Sequence, residues 1–246
     1  MMIADIAGRL HKGLWLTAVA AITSFPYLFY QTLGPWSGPI ARDWGIKGEA
    51  GTVFAFQFSL LAAIALLCAI IGVFLSERYN LPGFGDPRES YRAVLRYGGL
   101  AAIGGLIVGW TLHDRFFYQI VPENVGIELY PRSVLWSVSL VMYTSIMKEM
   151  IFRFGMLTLM AGLFRGKYHY LAVVLTSIFA SAFSLREFQF VDYPKLDINV
   201  WLCVAWSLIS NFVSGLVFIK KGLWPTMAIR ACIDSRYIIF PILGMV

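Results

Sequence analysis

Apolar positions in this chain come in long blocks, and the polar positions between them are few and clustered. Blocks at roughly 13–33, 52–76, 97–113, 133–164, 169–186, 198–219 and 223–246 are each long enough to cross a hydrocarbon core of about 30 Å. In lipid a backbone must satisfy its own hydrogen bonds, and blocks of this length do so as helices. The pattern predicts an all-α fold: a polytopic transmembrane helical bundle of about seven spans.

Composition agrees, since 59% of the 246 residues are hydrophobic, 14% are charged, and mean hydropathy is +0.70. That removes an ordinary soluble domain. Basic residues of short loops set orientation. Arg9, Lys12, Arg78, Arg88, Arg92, Arg96, Arg165, Lys167, Lys220 and Lys221 fall on one side; Arg42, Lys47, Arg115, Arg132, Arg186 and Lys195 fall on the other. The bias predicts a cytoplasmic N-terminus, and it explains the +6 formal charge without nucleic acid. The opening "MMIADIAGRLHKGLWLTAVAA" imitates a signal peptide but runs on apolar to Tyr30, as an uncleaved signal anchor would. Membrane lipids and other integral membrane subunits are the expected partners, in a bacterial-type inner membrane.

The connectors carry less information. Trp36 and Trp44 in 34–51, and Phe188, Phe190 and Tyr193 in 186–197, suit the headgroup region. The segment 76–96 mixes turn residues with four arginines and reads either as a solvated connector or as a strip against an anionic leaflet. Ala101, Gly105 and Gly109 recur every four residues and form a close-packing helix face, expected to serve the internal bundle. Cys68, Cys203 and Cys232 have no paired spacing and read as packing residues. His11, His113 and His169 sit at span ends as interfacial polar groups, with porphyrin-type ligation the minor alternative.

The informative stretch is "MYTSIMKEMIFRFGMLTLM", which places Lys148, Glu149 and Arg153 inside a span. A charge at the bilayer centre costs at least about 2.5–3.5 kcal/mol and persists where it faces a partner or a cavity. Glu149 and Arg153 are four apart, as are Arg230 and Asp234 in the last span, so each pair shares a helix face. At about 1.5 Å rise per residue, both pairs and Phe183 reach similar depths, about 14–24 Å from the cytoplasmic side. One intramembrane layer built from three spans is expected. Four cations, Lys148, Arg153, Arg230 and Arg236, face two carboxylates there. Arg236 is expected to snorkel outward, and Lys148 to be the best candidate for an anionic ligand.

These residues resemble a family. The pattern Glu-Glu-x-x-Phe-Arg, then Phe-x-x-x-His, then His-x-x-x-Asn/Asp marks the CAAX prenyl protease and bacteriocin-processing (CPBP, or Abi) intramembrane proteases. This chain has Lys148-Glu149-Met150-Ile151-Phe152-Arg153, then Phe179-Ala180-Ser181-Ala182-Phe183, then Arg230-Ala231-Cys232-Ile233-Asp234. The flanking "SGLVFIKKGLWPTMAIR" is similar too. The likeness covers about 130–246, a CAAX-protease-like core, and leaves 1–129 as N-terminal spans with a cytoplasmic loop near 77–96; together they make one membrane domain.

In that family the resemblance implies glutamates and histidines that activate water and hold a metal or the oxyanion. Here Lys148, Phe183 and Arg230 stand at three of those positions, and Glu149, Arg153 and Asp234 are retained. Two carboxylates among several cations make a poor zinc site, and no cofactor is expected. A lone Glu149 beside Arg and Lys is held in its ionised, weakly basic form. The leading expectation is a catalytically degenerate member acting as a scaffold or accessory subunit of a membrane protein complex. The alternatives are a divergent intramembrane endopeptidase, which alone would call for zinc, and an isoprenoid or anionic-lipid binding protein with Lys148 or Arg230 on the headgroup.

Overall fold

The structure is a computed structural model that describes residues 2–33, 50–114, 134–185 and 198–243. Among these the regular elements are all helical. In chain order they are α1 (Met2–Leu33), α2 (Ala50–Leu75), and α3, a continuous helical run from Pro87–Ala93 to Gly105–Asp114. Then come α4 (Val134–Leu163), α5 (His169–Leu185), α6 (Ile198–Lys221), α7 (Leu223–Asp234) and α8 (Arg236–Ile242). Four stretches, Gly51–Leu75, Pro87–Thr111, Val134–Leu163 and Trp201–Lys221, are long and apolar enough to cross a membrane; His169–Phe183 is a shorter apolar helix. This is an all-α integral membrane bundle. Residues 34–49 of the interfacial segment expected at 34–51, the whole of the one expected at 186–197, and all six basic residues assigned to the outer side lie outside the described residues.

The bundle is inside-out relative to a soluble protein only at its surface. Large apolar side chains such as Ile22, Leu67, Leu100, Ile107 and Leu163 face outward, where lipid would cover them. Its interior is still apolar, with α4 at the centre: Met147, Met150, Phe154 and Leu157 are fully buried. α1 packs on α2 and on the start of α4, and α2 packs along the Met150–Leu157 stretch. There Gly72 and Gly155 allow close approach, because a Cβ on Gly72 would lie 2.4 Å from the Phe154 ring and one on Gly155 2.4 Å from the Cys68 sulphur. Cys68 and Cys203 are buried and Cys232 is half-buried; none is in a disulfide.

The ten basic residues expected at one end are gathered there by contacts between their segments. Arg9 pairs with Glu77, the Lys221 ammonium lies 2.8 Å from Glu89, and His169 Nε2 lies 2.8 Å from the Tyr79 carbonyl. The turn between α2 and α3 is docked on the bundle by its backbone, while the arginines of the segment 76–96 stay exposed. The Leu223 and Trp224 amides donate to the Gly83 and Phe84 carbonyls, each at 3.0 Å. Gly85 (φ 72°) meets Gly222 (φ 89°) so closely that a Cβ on Gly85 would fall 2.1 Å from the Lys221 carbonyl oxygen. The Phe84 ring lies tilted against Phe154, with centroids 4.7 Å apart. α3 then starts on Asp86, whose side chain accepts from the Arg88 amide at 2.9 Å, with Pro87 at the first helical position.

α7 is held on three sides, by α3, by α6 and by the Tyr143–Lys148 part of α4. The small face of α3 makes this possible: a Cβ on Gly105 would lie 2.0 Å from the Ile233 carbonyl oxygen, and Gly109 lies against Trp206 and Arg236. The small-residue stripe thus serves the internal bundle. The last apolar block is two helices rather than one, because the chain turns at Ser235, whose hydroxyl donates to the Cys232 carbonyl at 2.7 Å.

Candidate functional site

Polar atoms inside this bundle cluster where α4, α6 and α7 meet. On α4, Glu149 separates two π-helical stretches, Tyr143–Lys148 and Met150–Leu157. Such widened winding recurs at functional sites. Glu149 and Arg153 are both buried, the latter completely. The Arg153 Nε stands 3.2 Å from Glu149 Oε2, in ion-pair range but without hydrogen-bond alignment. Its Nη2 is better served: it donates to both the backbone carbonyl and the Oδ1 of Asn211 on α6, each at 2.8 Å. The Asn211 amide in turn donates to the hydroxyls of Ser181 on α5 and Ser207, both at 3.3 Å.

On α7, Asp234 is buried between two guanidiniums. Arg230 Nε donates to its Oδ2 at 2.8 Å, and Arg236 Nη1 to its Oδ1 at 3.0 Å. Arg236 also donates to the Ile233 carbonyl at 3.2 Å and to the Tyr237 hydroxyl at 2.7 Å. Its guanidinium lies 5.8 Å from the Trp206 ring and 4.3 Å from the Tyr237 ring.

The two halves form one electrostatic layer, because Glu149 interacts with Arg230 and Asp234 as well as with Arg153. Ser214 of α6 turns its buried hydroxyl toward Glu149, close enough to favour the carboxylate but outside good hydrogen-bond geometry. Glu149 Oε2, Arg153 Nη1 and Arg230 Nη1 are likewise buried without a hydrogen-bond partner. The layer is therefore charge-paired but incompletely hydrogen-bonded.

Each residue singled out from the sequence can now be placed. Glu149, Arg153, Arg230 and Asp234 come together. Lys148, half-buried, holds its ammonium 5.4 Å over the Tyr143 ring. Phe183 is 42% exposed, with its ring 5.8 Å edge-on to Phe152. Arg236 does not snorkel outward: it is 2% exposed and bound to Asp234, because the turn at Ser235 swings it back into the bundle. The surplus of positive charge is met by neutral acceptors and aromatic faces, chiefly Asn211, Tyr143, Trp206 and Tyr237, rather than by a cation left without contacts. His169 serves as an interfacial hydrogen-bonding group, His11 is exposed, and the His113 side chain lies outside the described residues. Among the described residues no three His, Cys, Asp or Glu side chains converge in metal-binding geometry.

The sequence reading missed Asn211, Ser181 and Trp206. An asparagine in the middle of an apolar span, four residues from Ser207, was the available signal, since uncharged polar groups in such spans bind across helices.

Comparison with known proteins adds a likeness over part of the chain. Residues 130–235 match the family model described as type II CAAX prenyl endopeptidase Rce1-like. That segment runs from just before α4 to the turn after α7 and holds the whole charged layer except Arg236. No curated protein and no solved structure was found to match the chain.

Proposed function

We propose that this chain, a CAAX-protease-like membrane protein that is Rce1-like over residues 130–235, is a non-proteolytic member whose charged layer is structural, and that it acts as a scaffold or accessory subunit of a membrane assembly. The observation that carries the reading is the occupation of Asp234. Both of its oxygens are taken by guanidiniums, and one of these is Arg230, which stands where the family pattern has a histidine. The two other departures from that pattern fit the same account. Phe183 offers an aromatic edge to Phe152 in place of a nitrogen lone pair, and Lys148 leans on Tyr143.

A divalent metal does not fit this donor set. Two carboxylates surrounded by Arg153, Arg230 and Arg236 would have to exchange guanidinium partners for an ion that those same cations repel. General-base catalysis by Glu149 fares no better, since a carboxylate paired with arginine is a weak base. Other integral membrane subunits and membrane lipids are the partners this reading names, with a bacterial-type inner membrane as the setting and no role for nucleic acid.

A cleavage assay tests the proposal. Full-length protein in detergent, and its Glu149→Ala variant, are incubated with a prenylated CAAX peptide with and without zinc. No turnover by either protein is the expected result; turnover that Glu149→Ala abolishes would overturn the proposal and restore the peptidase reading. Native mass measurement after mild extraction checks the positive half, for which subunits present in fixed ratio are expected.

A further inference from the structure

Away from the charged layer, a groove of about 750 Å³ runs between α3, α6 and α7. Its volume lies within the range of about 300–1,000 Å³ typical of small-ligand sites. The walls are apolar: Leu100 and Gly104 from α3, Val213 from α6, and Ile229 and Ile233 from α7, with Trp206 at the inner end. From Lys221 to Trp206 the α6 wall is about 22 Å long at ~1.5 Å per residue, somewhat more than one leaflet of a ~30 Å hydrocarbon core. Leu100, 71% exposed, and Val213, 38% exposed, show that the groove opens sideways, toward lipid.

One end of this groove differs in kind. Arg92, Arg96, Lys220 and Lys221 all line it there, at the end where the basic loops gather. Glu89 binds Arg92 at 2.9 Å and Lys221 at 2.8 Å, which ties the start of α3 to the end of α6 and fixes the mouth. Among the described residues, Arg96 and Lys220 have no acidic partner. An apolar trough one acyl chain deep, closed at the membrane surface by a surplus of positive charge, is complementary to a molecule with an anionic head and a hydrocarbon tail. A soluble anion leaves the trough empty, and a zwitterionic lipid brings a positive charge of its own to a mouth that already has a surplus of them.

We infer that the groove holds an acyl chain of an anionic membrane phospholipid, whose phosphate headgroup sits against Arg92, Arg96, Lys220 and Lys221. The site shares none of the family-pattern residues and stands whether or not the layer at Glu149 is catalytic. Gly104 matters to it, because a Cβ there would meet nothing within 4 Å and so opens directly onto the trough.

The test is titration of full-length, delipidated protein in detergent with phosphatidylglycerol, followed by native mass spectrometry. Phosphatidylcholine of the same chains and glycerol phosphate serve as the two controls. Wild-type protein is expected to take up one phosphatidylglycerol in preference to phosphatidylcholine, with no displacement by glycerol phosphate. Arg96→Gln with Lys220→Gln spares the Glu89 bridges and should weaken binding on the order of 30-fold, as loss of two surface cations implies. Gly104→Leu fills the trough without touching the charges and should weaken binding roughly tenfold, by displacing about two methylenes. Equal binding of the two phospholipids, displacement by glycerol phosphate, or indifference to Gly104→Leu would each overturn the inference. A thermal melt of every variant separates loss of binding from loss of fold.

Discussion

Replacing Glu149 with glutamine keeps its shape and removes only its charge, which isolates the electrostatic role of the layer. In the native bundle Arg153 is completely buried, with Nε facing Glu149 at 3.2 Å and Nη2 held by Asn211. After the change Arg153 keeps its neutral acceptors but loses its countercharge, and Arg230 loses a second negative neighbour. Breaking a buried pair from one side costs about 3–5 kcal/mol. The retained Asn211 contacts favour the lower half of that range. At about 2–4 °C per kcal/mol for a chain of this size, the melting temperature in detergent should fall by about 6–16 °C. The companion variant, Glu149→Leu with Arg153→Met, removes both charges and should recover most of the loss, since apolar replacements of a buried pair are often neutral or stabilising. A carboxylate retained for catalysis gives a different result, because strained active sites commonly gain stability when a catalytic group is removed. A shift under about 2 °C for Glu149→Gln, or a double variant as unstable as the sum of its parts, would refute a structural ion-pair layer.

Two further outcomes follow from the same contacts. Asn211→Leu removes the side-chain acceptor of Arg153 and leaves the backbone carbonyl, so a loss of about 1.5–3 kcal/mol is expected for a hydrogen bond to a charged group; a thermal melt checks it, and an unchanged melt would show that the backbone contact alone suffices. The neighbouring glycines of α3 should respond in opposite directions. Gly105→Ala drives a Cβ to 2.0 Å from the Ile233 carbonyl oxygen and should cost about 1–3 kcal/mol by overpacking, whereas Gly104→Ala meets open space and should gain up to about 1 kcal/mol in helix propensity. Equal melts for the two would contradict the packing of α3 on α7.

What the sequence disclosed, and what it hid, divides along physical lines. Membrane-spanning character was legible because burial in lipid leaves long apolar blocks, and Gly51–Leu75 is almost the block expected at 52–76. The pairs Glu149–Arg153 and Arg230–Asp234 were legible because partners four residues apart need no knowledge of tertiary structure. Arg236 was misread for the converse reason. Two residues past Asp234 on an unbroken helix it would point to another face, and only the turn at Ser235 brings it onto Asp234 Oδ1. Asn211 was hidden because its contact with Arg153 joins positions 58 apart in the chain. The docked connector was hidden because backbone hydrogen bonds carry it, and the glycines at 83, 85 and 222 are its main trace in the sequence.

α7 explains why the charged layer and the lipid groove coexist without competing. Consecutive residues of this helix face different neighbours: Ile233 lines the groove and turns its carbonyl toward Gly105, while Asp234 turns into the layer between Arg230 and Arg236. Trp206 is the seam, since it closes the inner end of the groove and also faces the Arg236 guanidinium. A helix bound by ions on one side and by apolar packing on the other is fixed in rotation. Slippage by one residue would bring Asp234 toward the apolar trough and Ile233 toward the guanidiniums, losing both sets of contacts at once. Buried ionic groups that specify register in this way can persist for positioning alone, with no chemistry required of them.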